Sequence, residues 1–134
     1  MILVLVDHDR GVLDPLSTRA LTAARKIDSD IQAVVIGANG ASVVGEVGKF
    51  GAKVLHVANN PELNDYAPMA TGRALAQLAD QLKPAAVIAA GSPRGNEQLA
   101  HLAAFKELPM AAECTSISLG NPHKVVRARW GGNL

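Results

Sequence analysis

Residues 89–104 read AAGSPRGNEQLAHLAA. Small apolar residues lead into Gly91-Ser92-Pro93-Arg94-Gly95-Asn96, and a helical pattern follows with Leu99, Leu102 and Ala103 on one side. An apolar run that ends in a glycine-containing turn and restarts as a helix is the βα half of a βαβ unit. Three more apolar runs resemble the one at residues 86–90: residues 2–6, 31–36 and 54–58. Each is continuous and not alternating, the pattern of strands covered on both faces.

Helical patterns separate these runs. Asp14-Pro15 supplies an N-cap and a first-turn proline, and Leu16, Ala20, Ala23, Ala24 and Ile27 then share a face. A second helix is predicted over residues 41–49, with Val43, Val47 and Phe50 aligned and Gly51 as its stop. Gly45 and Gly48 inside it each cost about 1 kcal/mol relative to alanine, so close packing on the sheet is expected there. A third helix is predicted from Pro68 to Leu82, with Thr71, Leu75, Leu78 and Leu82 inward. Strand and helix alternating four times predict a doubly wound, mainly parallel sheet in a three-layer αβα domain. Residues 114–119 and 124–130 alternate instead, and residues 120–123 (Gly-Asn-Pro-His) join them, which predicts antiparallel strands added near the carboxyl end. Val126, Ala128 and Trp130 would face a core. The whole of 1–134 reads as one α/β domain, truncated at its carboxyl-terminal edge, where self-association through residues 124–134 is expected.

With 134 residues, 49% hydrophobic and 19% charged, the chain carries enough apolar material for a core. A net charge of +1 and 3% aromatics give no case for nucleic acid or an anionic membrane. One cysteine, Cys114, excludes an internal disulfide and suits a reducing, cytoplasmic setting.

Few residues suggest chemistry. Gly91, Ser92, Arg94, Gly95 and Asn96 sit where open α/β sheets bind ligands, and Arg94 is able to grip a phosphate. The turn is neither a Walker loop nor G-x-G-x-x-G, and it reads instead as a strand-to-helix turn with Ser92 or Asn96 as cap. The turn at residues 37–40 is similar and weaker. His8 lies between Asp7 and Asp9, but neighbours on a strand point to opposite faces, which opposes a shared metal. His56 reads as partly buried in a strand, His101 as flanking on a helix, and His123 as a turn residue. Cys114 has no visible activating partner. The polar stretch from Asn59 to Tyr66 reads as an exposed connector. No catalytic or metal-ligating set is identified.

In its ordered set of segments the chain resembles the amino-terminal domain of the electron transfer flavoprotein alpha subunit. The segments are ILVLVDHDRGVLDPLSTRALTAARKI, AVVIGANG, FGAKVLHVAN, GSPRGNEQLAHLAAFKELPMAAECTSI and VVRARWGGNL. Arg94-Gly95-Asn96-Glu97 stands where the family has Gly-Lys-Asn. Ala128, Trp130 and Gly131 depart from its Arg-Pro-(Ile/Val)-Tyr-Ala-Gly-Asn-Ala signature. The resemblance implies an electron carrier that shuttles electrons from flavin dehydrogenases to a respiratory acceptor. It implies FAD held mainly by a second domain absent from this sequence, and none on this segment. It also implies a beta subunit as partner, with Arg127, Arg129, Trp130 and Asn133 as interface candidates, and a cytoplasmic or mitochondrial-matrix setting. The turn at residues 91–96 would then shape an interface. A stand-alone nucleotide-binding module of the universal-stress type, or a small hydrolase or transferase, are the alternative readings. The first needs a phosphate loop and the second a nucleophile–base pair.

Overall fold

A computed structural model describes residues 1–128. In chain order the elements are β1 (Ile2–Val6), β2 (His8–Asp9), β3 (Val12–Leu13), α1 (Pro15–Ile27), β4 (Ile31–Ile36), α2 (Val44–Lys49), β5 (Leu55–Ala58), α3 (Pro68–Leu82), β6 (Ala86–Ala89), α4 (Pro93–Lys106), β7 (Cys114–Ser118) and β8 (Lys124–Arg127). Short 3-10 turns at Gly40–Val43 and Pro61–Leu63 precede α2 and α3.

The main sheet runs β5-β4-β1-β6, and every pair in it is parallel. All five residues of β1 are buried. Because side chains alternate across a strand, β1 divides its residues between two cores. Ile2, Val4 and Val6 pack with Leu21, Ala24, Val43 and Val47 on the side of α1 and α2. Leu3 and Leu5 pack with Val34, Leu75 and Leu102 on the side of α3 and α4. The three-layer αβα arrangement follows directly from the continuous apolar runs.

Two local expectations need correction. The buried stripe of α1 is Ser17, Ala20, Leu21 and Ala24, while Leu16 and Ala23 are exposed. Asp14 caps the helix by accepting from the Leu16 N–H at 2.8 Å, and Ser17 Oγ accepts from the Asp7 N–H at 2.8 Å. That satisfied polar contact turns Ser17 inward and rotates the stripe away from Leu16. Gly45 and Gly48 are not packing glycines: a Cβ at either would meet no atom within 4 Å. Within the α-helices the close approaches are at Gly72, which packs against the His101 backbone, and Gly95, whose added Cβ would overlap the Ala90 carbonyl oxygen.

The antiparallel pair near the carboxyl end forms as a separate ribbon, β7 with β8; among the described residues neither pairs with β6. Ile117 and Leu119 pack against the core that contains Ile88. Arg127 Nε donates to the Ala112 carbonyl at 2.6 Å, which ties the ribbon to the segment before it. Val126 is 60% exposed and Ala128 is exposed, so neither faces a core. With the ribbon separate from the main sheet, Ile117 supplies the contact instead. Arg129, Trp130 and Asn133 lie outside the described residues.

Two alanine substitutions should have opposite signs. Gly95→Ala forces a side chain onto fixed backbone and should destabilise the chain by about 1–3 kcal/mol. Gly48→Ala, in open space on a helix, should stabilise it by up to about 1 kcal/mol. Urea denaturation of both variants checks the assignment.

Candidate functional site: the crevice at the carboxyl ends of the strands

The chain builds the sheet outward from β1 through β4 to β5, then returns to place β6 on the other side of β1. That reversal is the topological switch point, where open α/β sheets form their ligand crevice. A cavity of about 300 Å³ opens there, with Asp7, His8, Asn39, Asn64, Tyr66 and Arg94 in its wall.

The turn at residues 91–96 enters this wall as a capped helix start. Ser92 is the N-cap: its Oγ accepts from the Gly95 N–H at 3.0 Å, and its carbonyl accepts from the Asn96 N–H at 2.9 Å. Pro93 has no N–H to offer. Asn96 is not a cap; its Nδ2 donates to Glu113 Oε1 at 2.9 Å. Gly95 is needed because the first turn of α4 lies against the Ala90 carbonyl. Of the five candidate residues, Gly91, Ser92, Gly95 and Asn96 thus shape the entry to α4, and only Arg94 reaches the cavity.

Arg94 meets its own chain there. Its Nε lies 3.3 Å from Asp7 Oδ2, and its guanidinium carbon stands 4.4 Å from the centre of the Tyr66 ring. Tyr66 in turn donates its hydroxyl proton to Glu97 Oε2 at 2.6 Å. A phosphate arriving at Arg94 would compete with the Asp7 carboxylate and meet the negative charges of Asp9 and Asp65 in the same wall.

His8 is engaged at both ring nitrogens. Nδ1 accepts from the Gly11 N–H at 3.0 Å, so Nε2 carries the proton and donates to the Ile36 carbonyl at 3.0 Å. Asp7 turns to Arg94, while Asp9 turns to solvent and lies 3.8 Å from Arg10. The three neighbours diverge, and among the described residues no group of three His, Cys, Asp or Glu side chains gathers to hold a metal. His56 Nε2 lies 2.7 Å from Gln32 Oε1 across β5 and β4; His101 stacks on Phe105; His123 Nδ1 accepts from the Gly120 N–H at 3.0 Å. Cys114 is half-buried, its thiol directed at the Ala111 carbonyl 3.5 Å away.

The segment at residues 59–67 is not a free connector. Asn64 Oδ1 accepts from the Ala38 N–H at 3.1 Å, and Tyr66 reaches α4. The segment forms a strap across the crevice. Its one sequence signal is the chain's single tyrosine, placed in an otherwise polar loop. Burial, the hydrogen bond to Glu97 and that carboxylate's charge push the Tyr66 phenol up to about 12, against the opposing pull of Arg94. A raised value means that the stability Tyr66 contributes is whole below pH 10 and is lost as pH rises toward 12. Because the chain has one tyrosine, phenolate absorbance reads Tyr66 alone. The midpoint should fall near 12 in the folded chain and near 10 in denaturant, and Glu97→Gln should move the folded value down.

Fold and crevice together define an αβα domain on a parallel sheet whose switch-point crevice is lined by side chains paired with one another. The sequence pattern of the electron transfer flavoprotein domain matches residues 2–134, and the chain belongs to that family. It is 25% identical over 137 residues to an electron transfer flavoprotein subunit alpha of Thermoanaerobacterium thermosaccharolyticum, covering 98% of this chain and 42% of the relative. It is 36% identical over 104 residues to the subunit alpha of Mycobacterium leprae, covering 76% and 32%. It is 24% identical over 139 residues to subunit LctC of the lactate dehydrogenase (NAD(+),ferredoxin) of Acetobacterium woodii, covering 99% and 33%. The chain thus spans about a third to two fifths of the length of these relatives. No helix among the described residues is long and apolar enough to cross a membrane.

Proposed function

We propose that this chain is the amino-terminal scaffold and interface domain of an electron transfer flavoprotein alpha subunit. The whole subunit, with a beta subunit, carries electrons from flavin dehydrogenases to a respiratory acceptor in the cytoplasm or mitochondrial matrix. It acts as a carrier and turns over no substrate of its own. FAD supplies the redox chemistry when bound, and in this reading other parts of the subunit hold it.

The observation that carries the reading is the state of the crevice. A pyrophosphate needs free N–H groups and an available cation at a helix start. Here Ser92 takes the Gly95 N–H, and Asp7 lies against Arg94. A carboxylate in the wall and no glycine fingerprint do not fit a dinucleotide. The same features count against the stand-alone nucleotide-binding module. The engaged ring of His8 counts against a hydrolase base there. What this segment offers a partner is surface: Val125 is 44% and Val126 60% exposed on β8, beside Arg127 and ahead of Arg129, Trp130 and Asn133. An apolar strand edge of this kind is suited to burial against another chain, and it is where the chain would self-associate when alone.

Two readouts test this. Purified chain incubated with FAD and desalted should show no flavin absorbance band; a stoichiometric yellow protein would overturn the assignment. Mixed with an electron transfer flavoprotein beta subunit, the chain should co-elute on size exclusion, and Val126→Asp should weaken that association by about tenfold, the loss of one well-buried apolar contact.

A further inference from the structure

The strap at residues 59–67 ends where α3 begins, and α3 begins without a capping side chain: its N-cap is Ala67 and its first residue is Pro68. An uncapped start leaves the first turn prone to fraying. Tyr66 is the residue just before that cap. Its ring lies under the Arg94 guanidinium and its hydroxyl donates to Glu97, so two residues of the first turns of α4 grip it. Arg94 is itself anchored to Asp7 at the end of β1. The strap has a second pin, Asn64 to the Ala38 N–H, on the far side of the crevice. Behind the strap, Thr71 and Gln98 line the same cavity and are 2% and 5% exposed.

We infer that Tyr66, Arg94, Glu97 and Asp7 form a latch that holds the strap shut across the crevice and fixes the start of α3 in place of a cap. The physical basis is a division of labour. The packed core of α3 against α4, with Gly72 at the His101 backbone, holds the middle of the helix pair. The latch holds only the entrance. Its parts are a cation–π contact, a half-exposed ion pair and one hydrogen bond, each weak alone. The latched segment therefore opens locally and far more often than the sheet unfolds. When it opens, the strap and the first turn of α3 move together, because Tyr66 and the N-cap are adjacent in the chain.

Native-state hydrogen exchange read by mass spectrometry tests this on the chain as it stands. Arg94→Ala removes both the cation over the ring and the partner of Asp7. It should speed exchange across residues 59–71 by about tenfold, with β1 and β4 unchanged. Tyr66→Phe keeps the ring and loses the hydroxyl, so it should give a smaller rise over the same residues. In the Tyr66→Phe, Arg94→Ala double variant the rise should fall short of the product of the two single effects, since the contacts act as one unit. Unchanged exchange over residues 59–71 in Arg94→Ala, an equal rise across β1 and β4, or strictly multiplicative effects would each overturn the latch.

Discussion

Asp7 ties the end of β1 to α1, to the turn at His8 and to α4. Its N–H donates to Ser17 Oγ in α1, and its carbonyl accepts from the Asp14 N–H before that helix. Oδ1 accepts from the His8 N–H, and Oδ2 faces Arg94 of α4. The residue follows β1, which is buried along its whole length. Its carboxylate is thereby presented to the crevice at the switch point of the sheet. The ion pair with Arg94 is half exposed and on the order of 0.2–1 kcal/mol by the behaviour of such pairs. Its consequence is therefore occupancy more than stability: it sets which charge the crevice shows to an incoming molecule.

From that constraint the rest of the surface around the crevice follows. Arg94, held over the crevice, provides the platform on which Tyr66 stacks. Tyr66, two residues before α3, joins the strap to α4 through Glu97. Farther along, the Gly72–His101 contact lets α3 and α4 approach closely and cover the Leu3, Leu5 and Val34 face of the sheet. On the opposite face α1 and α2 cover the other core. The β7–β8 ribbon leans on that core through Ile117 and Leu119 and leaves Val125 and Val126 outward. A domain of this form presents a crevice at one end of its sheet and a two-stranded ribbon with Val125 and Val126 exposed.

The sheet was legible in the sequence because its strands are continuous apolar runs alternating with helical patterns, although the edge strand β5 leaves Val57 exposed. The bounds of α3 were legible for a similar reason: Pro68 and the Pro84 beyond Leu82 bracket it. The buried face of α1 was not, because counting apolar residues gives no weight to Ser17, whose burial depends on a hydrogen bond from residue 7. The strap was not legible either. Tyr66 lies 31 residues before Glu97 in sequence, and its meeting with Arg94 and Glu97 depends on how α3 and α4 pack. Gly95 looked like a phosphate-loop glycine because both roles demand the same thing, a backbone without a Cβ; only the position of the Ala90 carbonyl separates them. The family was legible from the order of its segments, whereas the engagement of Arg94 and His8 required coordinates.

Arg94 is paired with Asp7 of its own chain, and from that pairing the crevice is expected to take up no nucleotide. Calorimetric titration of AMP and ATP into the purified chain addresses it directly. No saturable binding should appear up to millimolar nucleotide. Micromolar binding that Arg94→Ala abolishes would contradict the claim and make the crevice a nucleotide site.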